Sequence, residues 1–230
     1  MPKEMKTKKL LQKQADRTMK NVIKLSLGEE IGNSITHGVM SLLLLLILPA
    51  AAIYAFSRGG ALLAAGTSVF IISIFFMFLA SCLYHAMPYD TPHKYVFRIL
   101  DHIFIYFAIA GSYTPIALYA IGGIGGILVL VVQWAMVLFG ILYKSIARRS
   151  IPKLSVLIYL SMGWVALLFI PHLVRYASPV FIWLIVGGGA LYTAGSWFYM
   201  QKERPYFHFV WHLFIDFAAL THFIAIVFYL

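Results

Sequence analysis

The chain has 230 residues, 62% of them hydrophobic and 11% charged, with a formal net charge of +10. So apolar a composition excludes a soluble domain of this length and predicts an all-α polytopic membrane protein with little chain left for a separate soluble domain. A single cysteine, Cys82, excludes an intrachain disulfide and any multi-cysteine zinc site, and the positive balance is assigned to cytoplasmic loops and anionic headgroups rather than to nucleic acid.

Residues 1–30 read as a basic cytoplasmic tail carrying Lys3, Lys6, Lys8, Lys9, Lys13, Arg17, Lys20 and Lys24. With no short apolar core before a small-residue cleavage site, this stretch does not read as a signal peptide. Residues 31–230 read as one transmembrane domain. Its charge-poor segments are Ile31–Phe56, Ala61–Tyr84, His102–Ile121, Ile124–Tyr143, Leu154–Ile170, Pro179–Met200 and Tyr206–Leu230. Each is near the ~20 residues that cross the hydrocarbon. Continuous runs such as Ser41–Leu48 favour helices over the alternating strands of a β-barrel. Gly122, Gly123, Gly125 and Gly126 divide what would otherwise be one overlong span. Tyr113-Thr114-Pro115 marks a kink whose freed backbone groups hydroxyls can meet.

Seven spans place the termini on opposite sides. With the N-terminus inside, sixteen of the eighteen lysines and arginines are cytoplasmic, and only Arg58 and Arg175 fall outside. That asymmetry supports both the orientation and the count.

The topology then assigns depth to the polar residues. Span two ends inward at Ser81 and His85, span three begins at Asp101 and His102, and span one begins at Glu29, Glu30, Asn33, Thr36 and His37. Span seven begins with His208 and His212, one helical turn and about 6 Å apart on one face. Three histidines at one depth, His85, His208 and His212, with a fourth position left to water, have the pattern of a catalytic zinc site. Asp101 would then bond the water or orient an imidazole, and Ser81, four residues before His85, would share that role. Zinc lowers the pKa of its water to about 7, and a hydroxide near the headgroup boundary suits attack on a lipid amide or ester. His93 reads as solvated, His102 as without a metal role, and His172 as too far from the others. Asp216, at i+4 from His212, stays outside the metal set.

These residues carry a resemblance. Glu30-x-x-Asn33-x-x-Thr36-His37, Ser81-x-x-x-His85, Asp101, Gly111-x-Tyr113-Thr114-Pro115, His208-x-x-x-His212 and His222, in that order, resemble the hemolysin III family within the progestin and adipoQ receptor (PAQR) superfamily. The resemblance implies zinc held by His85, His208 and His212, with Asp101 and Ser81 around the water. It also implies a cytoplasmic N-terminus, an extracellular C-terminus and location in the cell membrane. For function it implies membrane lipids as partners, amide hydrolysis of the ceramide kind and a part in lipid and fluidity homeostasis. Three other readings compete. A pore-forming cytolysin would need a polar lining that these spans lack. An ion-coupled transporter would use His37, Asp101, His212, Asp216 and His222 as a relay. A structural zinc site would have a fourth protein ligand in place of water.

Overall fold

The computed structural model describes residue 19, residues 22–146 and residues 151–230; most of the basic tail, with Arg148 and Arg149, lies outside the described residues. Helix α1 runs Leu27–Ala86, α2 Pro92–Pro115, α3 Gly123–Ile146, α4 Pro152–Trp164, α5 Ile170–Tyr176, α6 Pro179–Met200 and α7 Phe207–Ile224. Among the described residues there is no strand. Six helical stretches are long and apolar enough to cross a membrane, with α4 and α5 counted as one through the tight turn Val165–Phe169. Large apolar side chains face outward, among them Leu46, Ile124 and Trp183. In water such a surface would drive association, whereas lipid solvates it.

The 60 residues of α1 would make a rod of about 90 Å, three times the ~30 Å hydrocarbon core. The rod is broken. Gly60 sits at φ 67, ψ −161, a conformation that suits glycine, and Gly59 is also non-helical. The arms 27–58 and 61–86 fold back on each other: Ser34 Oγ donates to the Cys82 carbonyl at 3.1 Å, and a Cβ on Gly38 would meet Cys82 Sγ at 3.0 Å. The first arm starts four residues before the expected Ile31. Ser26 and Glu29 form a reciprocal capping box there, a polar signal that hydropathy does not register.

Helix α2 likewise starts ten residues before the expected His102, at Pro92, where the Thr91 hydroxyl accepts from the Lys94 backbone N–H at 3.2 Å. Asp101 therefore lies in the third turn of a helix already under way. After Pro115 the chain widens into a π-helical turn, Ile116–Ile121, and reverses at Gly122 (φ 63) and Gly123 (φ 54). The hydroxyls of Ser112 and Thr114 donate to the Ala108 and Ala110 carbonyls, as expected for a kinked membrane helix. The tight turn between α4 and α5 is held by Tyr113, whose hydroxyl donates to the Gly163 carbonyl at 2.6 Å and accepts from the Ala166 N–H at 2.7 Å.

Small residues let α2 close on the second arm of α1. A Cβ on Gly111 would fall 2.5 Å from Ser73 Cβ, and one on Gly66 2.8 Å from the Pro115 Cα. We expect Gly111→Ala to cost about 1–3 kcal/mol, as overpacking does, and to lower the melting temperature of the detergent-purified protein. Gly187→Ala, whose Cβ would meet nothing within 4 Å, should leave it unchanged.

Candidate metal centre

The histidines sit where three helix ends meet. His85 closes α1, and His208 and His212 occupy the first turns of α7. Tyr206, at φ 62, sets the entry to α7, and its backbone N–H donates to Glu29 Oε1 at 2.7 Å. Glu29 thus caps the start of α1 with one oxygen and ties the start of α7 to it with the other.

The next residue, Glu30, orients the site. Its Oε2 lies 2.7 Å from His85 Nδ1, and its Oε1 accepts from Lys94 Nζ at 2.8 Å. The paired lysine keeps the carboxylate ionised, and an ionised carboxylate only accepts, so the His85 proton belongs on Nδ1 and the lone pair on Nε2. That Nε2 stands 3.4 Å from His208 Nε2, which stands 3.3 Å from His212 Nε2. All three rings are buried, His212 completely.

Three ring nitrogens turned toward one point are a poor arrangement for neutral imidazoles alone, because each pair can share only one proton. It fits a cation well. Ligands bonded at 2.0–2.1 Å in a tetrahedron stand roughly 3.3–3.4 Å apart, which the two separations from His208 match, and all three ligand atoms lie within 4.8 Å of one another. His85, His208 and His212 can therefore hold a metal ion, and they are the three-residue group that geometry selects among the described residues.

Asp101 and Ser81 lie outside that group but beside it. Both are buried. The Ser81 hydroxyl lies within interaction range of the Asp101 carboxylate, and Asp101 Oδ2 lies 3.4 Å from His102 Nδ1. Both line an apolar cavity of about 170 Å³ walled by α1, α2, α4, α5, α6 and α7. Its lining follows α6 from Tyr199 to Phe181, about 27 Å of helix.

The remaining histidines are engaged elsewhere. His102 Nδ1 donates to the Arg98 carbonyl at 2.7 Å, His222 Nε2 to the Ile185 carbonyl at 3.1 Å, and His172 Nε2 lies 3.3 Å from the Ala120 carbonyl. His93 is exposed in the first turn of α2. His37 stacks on His212, ring centroids 3.9 Å apart, with its Nε2 3.6 Å from Asp216 Oδ1. Asp216 thus faces His37 and not a candidate ligand. Sequence reasoning placed Glu30 in the right layer without giving it a partner. The pairing with His85 spans 55 residues and exists only because α1 folds back at Gly60.

The Haemolysin-III related family profile matches residues 25–223, nearly the whole described chain. The chain belongs to the haemolysin-III related family. It is 34% identical to a Bacillus cereus protein named Hemolysin-3 over 201 residues, covering 87% of this chain and 91% of that one. It is equally identical to a Bacillus subtilis Hemolysin-3 homolog over 204 residues, covering 89% and 95%. The human monocyte to macrophage differentiation factor is 27% identical over 160 residues, 67% of this chain and 66% of that one, a similarity that carries the family into the PAQR superfamily. With its membrane-length helices, this haemolysin-III relative is a multi-pass membrane protein.

Proposed function

We propose that this family member is a zinc-dependent hydrolase of a lipid amide or ester, acting at the cytoplasmic face of the cell membrane in lipid and fluidity homeostasis. The observation that carries the reading is the convergence of three imidazole Nε2 atoms beside an apolar cavity that Ser81 and Asp101 also line. Zinc bound there supplies a water of pKa about 7 and a Lewis acid for the acyl carbonyl. The chain's own residues supply the rest. Glu30 holds His85 in the ligating tautomer. Asp101 would take a proton from that water, and the Ser81 hydroxyl, beside the Asp101 carboxylate, would help position it. The cavity shelters the acyl chain and keeps bulk water from the carbonyl.

The test is incubation of the purified, zinc-loaded protein with a ceramide and with an acyl ester, reading free fatty acid. Release that disappears in His212→Ala supports the proposal. Absence of release on every lipid, with full zinc, leaves the ion a clamp between α1 and α7.

The same reading assigns seven crossings, with the two arms of α1 counted separately because of their reversal at Gly60. It puts the N-terminus in the cytoplasm and Leu230 outside, supported by the lysine and arginine asymmetry. A reporter fused after Leu230 should be active only outside the cytoplasm, and one inserted at Lys153 only inside. A cytoplasmic signal at Leu230 would refute the seven-span count, and the irregular α4–α5 stretch is where the count would fail.

A further inference from the structure

The short loop between α1 and α2 joins His85 to Lys94, and the segment before α1 is docked on it. Met19 is 1% exposed, and its backbone N–H donates to Asp90 Oδ1 at 3.2 Å. The Tyr89 hydroxyl stands 3.0 Å from the carbonyls of both Met19 and Val22 and shares its one proton between them. Lys24 lies over the same ring, its Nζ 5.5 Å from the centroid. Asp90 itself holds φ 59, a left-handed conformation uncommon outside glycine. These bonds fasten a segment that leads, through the Ser26 cap, straight into Glu29 and Glu30.

Past Asp90 the loop feeds Lys94, which is also only 1% exposed. Lysine is almost never buried so completely without partners, and the partners here belong to the two ends of α1 that meet at the metal centre. Lys94 Nζ donates to Glu30 Oε1 at 2.8 Å and to the Met87 carbonyl at 3.1 Å, and it lies 4.8 Å from the centroid of the Tyr84 ring. Met87 caps α1 two positions after His85. The other Glu30 oxygen holds His85 Nδ1. A connected path therefore runs from Met19 through the loop and Lys94 to Glu30 and a candidate ligand. It closes on itself, because Glu30 follows the docked segment in the chain.

We infer that the segment docked through Met19 and Val22 is part of the metal centre: by way of Tyr89, Asp90 and Lys94 it positions Glu30, and so His85, and raises the affinity for zinc. The inference rests on the zinc-binding part of the hydrolase reading and needs no turnover. Tyr89, Asp90 and Lys94 are positioning residues, since none belongs to the three-histidine group. Coupling of this kind is reciprocal. If docking tightens zinc, zinc tightens docking by the same factor, and the state of the buried site is displayed on an exposed stretch of chain.

The test uses the full chain in detergent with two readouts, zinc affinity by competition with a chelator and the rate of tryptic cleavage after Lys24, which is exposed. Lys94→Met should weaken zinc binding by about 10–100-fold, the usual cost of losing an orienting partner. Lys94→Arg, which keeps the charge and the donors, should recover most of it. Tyr89→Phe/Asp90→Ala leaves Lys94 and Glu30 in place and should weaken zinc binding about tenfold, the effect of losing one or two hydrogen bonds. In wild type, removing zinc should speed cleavage after Lys24 by about the same tenfold, and in Lys94→Met it should change cleavage little. Gly111→Ala, strained at its contact with Ser73 far along α2, should keep both the affinity and the zinc dependence of cleavage. Wild-type affinity in Tyr89→Phe/Asp90→Ala overturns the inference, as does wild-type cleavage that ignores zinc. An equal loss of affinity in Gly111→Ala also overturns it, because general loosening would then suffice. Should Lys94→Met fail to fold, Tyr89→Phe/Asp90→Ala carries the test alone. Zinc affinity that follows these variants without any lipid hydrolysis defeats only the hydrolase reading, and hydrolysis with affinity unmoved by them defeats only this inference.

Discussion

Replacing His208 by alanine is expected to abolish the proposed zinc binding. His208 Nε2 is the central atom of the three, 3.4 Å from His85 Nε2 and 3.3 Å from His212 Nε2. Its loss leaves two ligands too few to hold the ion against water. A group that only orients a ligand typically costs roughly 10–100-fold in affinity, and a ligand itself should cost more than about 100-fold. Zinc per chain, measured by plasma mass spectrometry after gel filtration, should fall to background in His85→Ala, His208→Ala and His212→Ala alike. Glu30→Gln is the graded case. It keeps the shape beside His85 Nδ1 and Lys94 Nζ but weakens both bonds, and should lower zinc affinity by that 10–100-fold. His93→Ala and His172→Ala should retain full stoichiometry, because one ring is exposed and the other lies against the Ala120 carbonyl. Metal loss in His172→Ala equal to that in His208→Ala would refute the ligand assignment.

The second large effect is on chemistry. Asp101→Asn removes a negative charge and a base while preserving shape, at a residue that faces the cavity and lies outside the three-histidine group. A general base contributes about 10²–10⁴-fold in rate. Asp101→Asn should therefore keep most of its zinc and its melting temperature and lose lipid hydrolysis by that factor. A structural role for the ion reverses the order: zinc and melting temperature fall together, and any cellular phenotype follows through folding. Full activity with full zinc would remove Asp101 from the mechanism.

Much of this protein could be read from residue order alone because lipid is an exacting solvent. A chain with 62% hydrophobic residues must satisfy its backbone internally while crossing hydrocarbon, so length and hydropathy suffice to find the helices. The same constraint makes an ionisable group within a span costly, which marks His85, His208, His212 and Asp101 in the sequence itself, while Ser81 is marked by its place four residues before His85. Helix starts were less legible. Leu27 and Pro92 are fixed by the hydroxyls of Ser26 and Thr91, local hydrogen bonds that carry no hydropathy signal.

What only tertiary structure decided is how the polar residues pair. The reversal at Gly60 brings Glu30 onto His85 across 55 residues and leaves Asp216 facing His37 instead of a ligand. Composition dictates which groups must find partners in a low-dielectric interior. Which partner each one finds depends on helix rotation and close approach, and these are set by small residues such as Gly38, Gly66 and Gly111 at the contacts between helices.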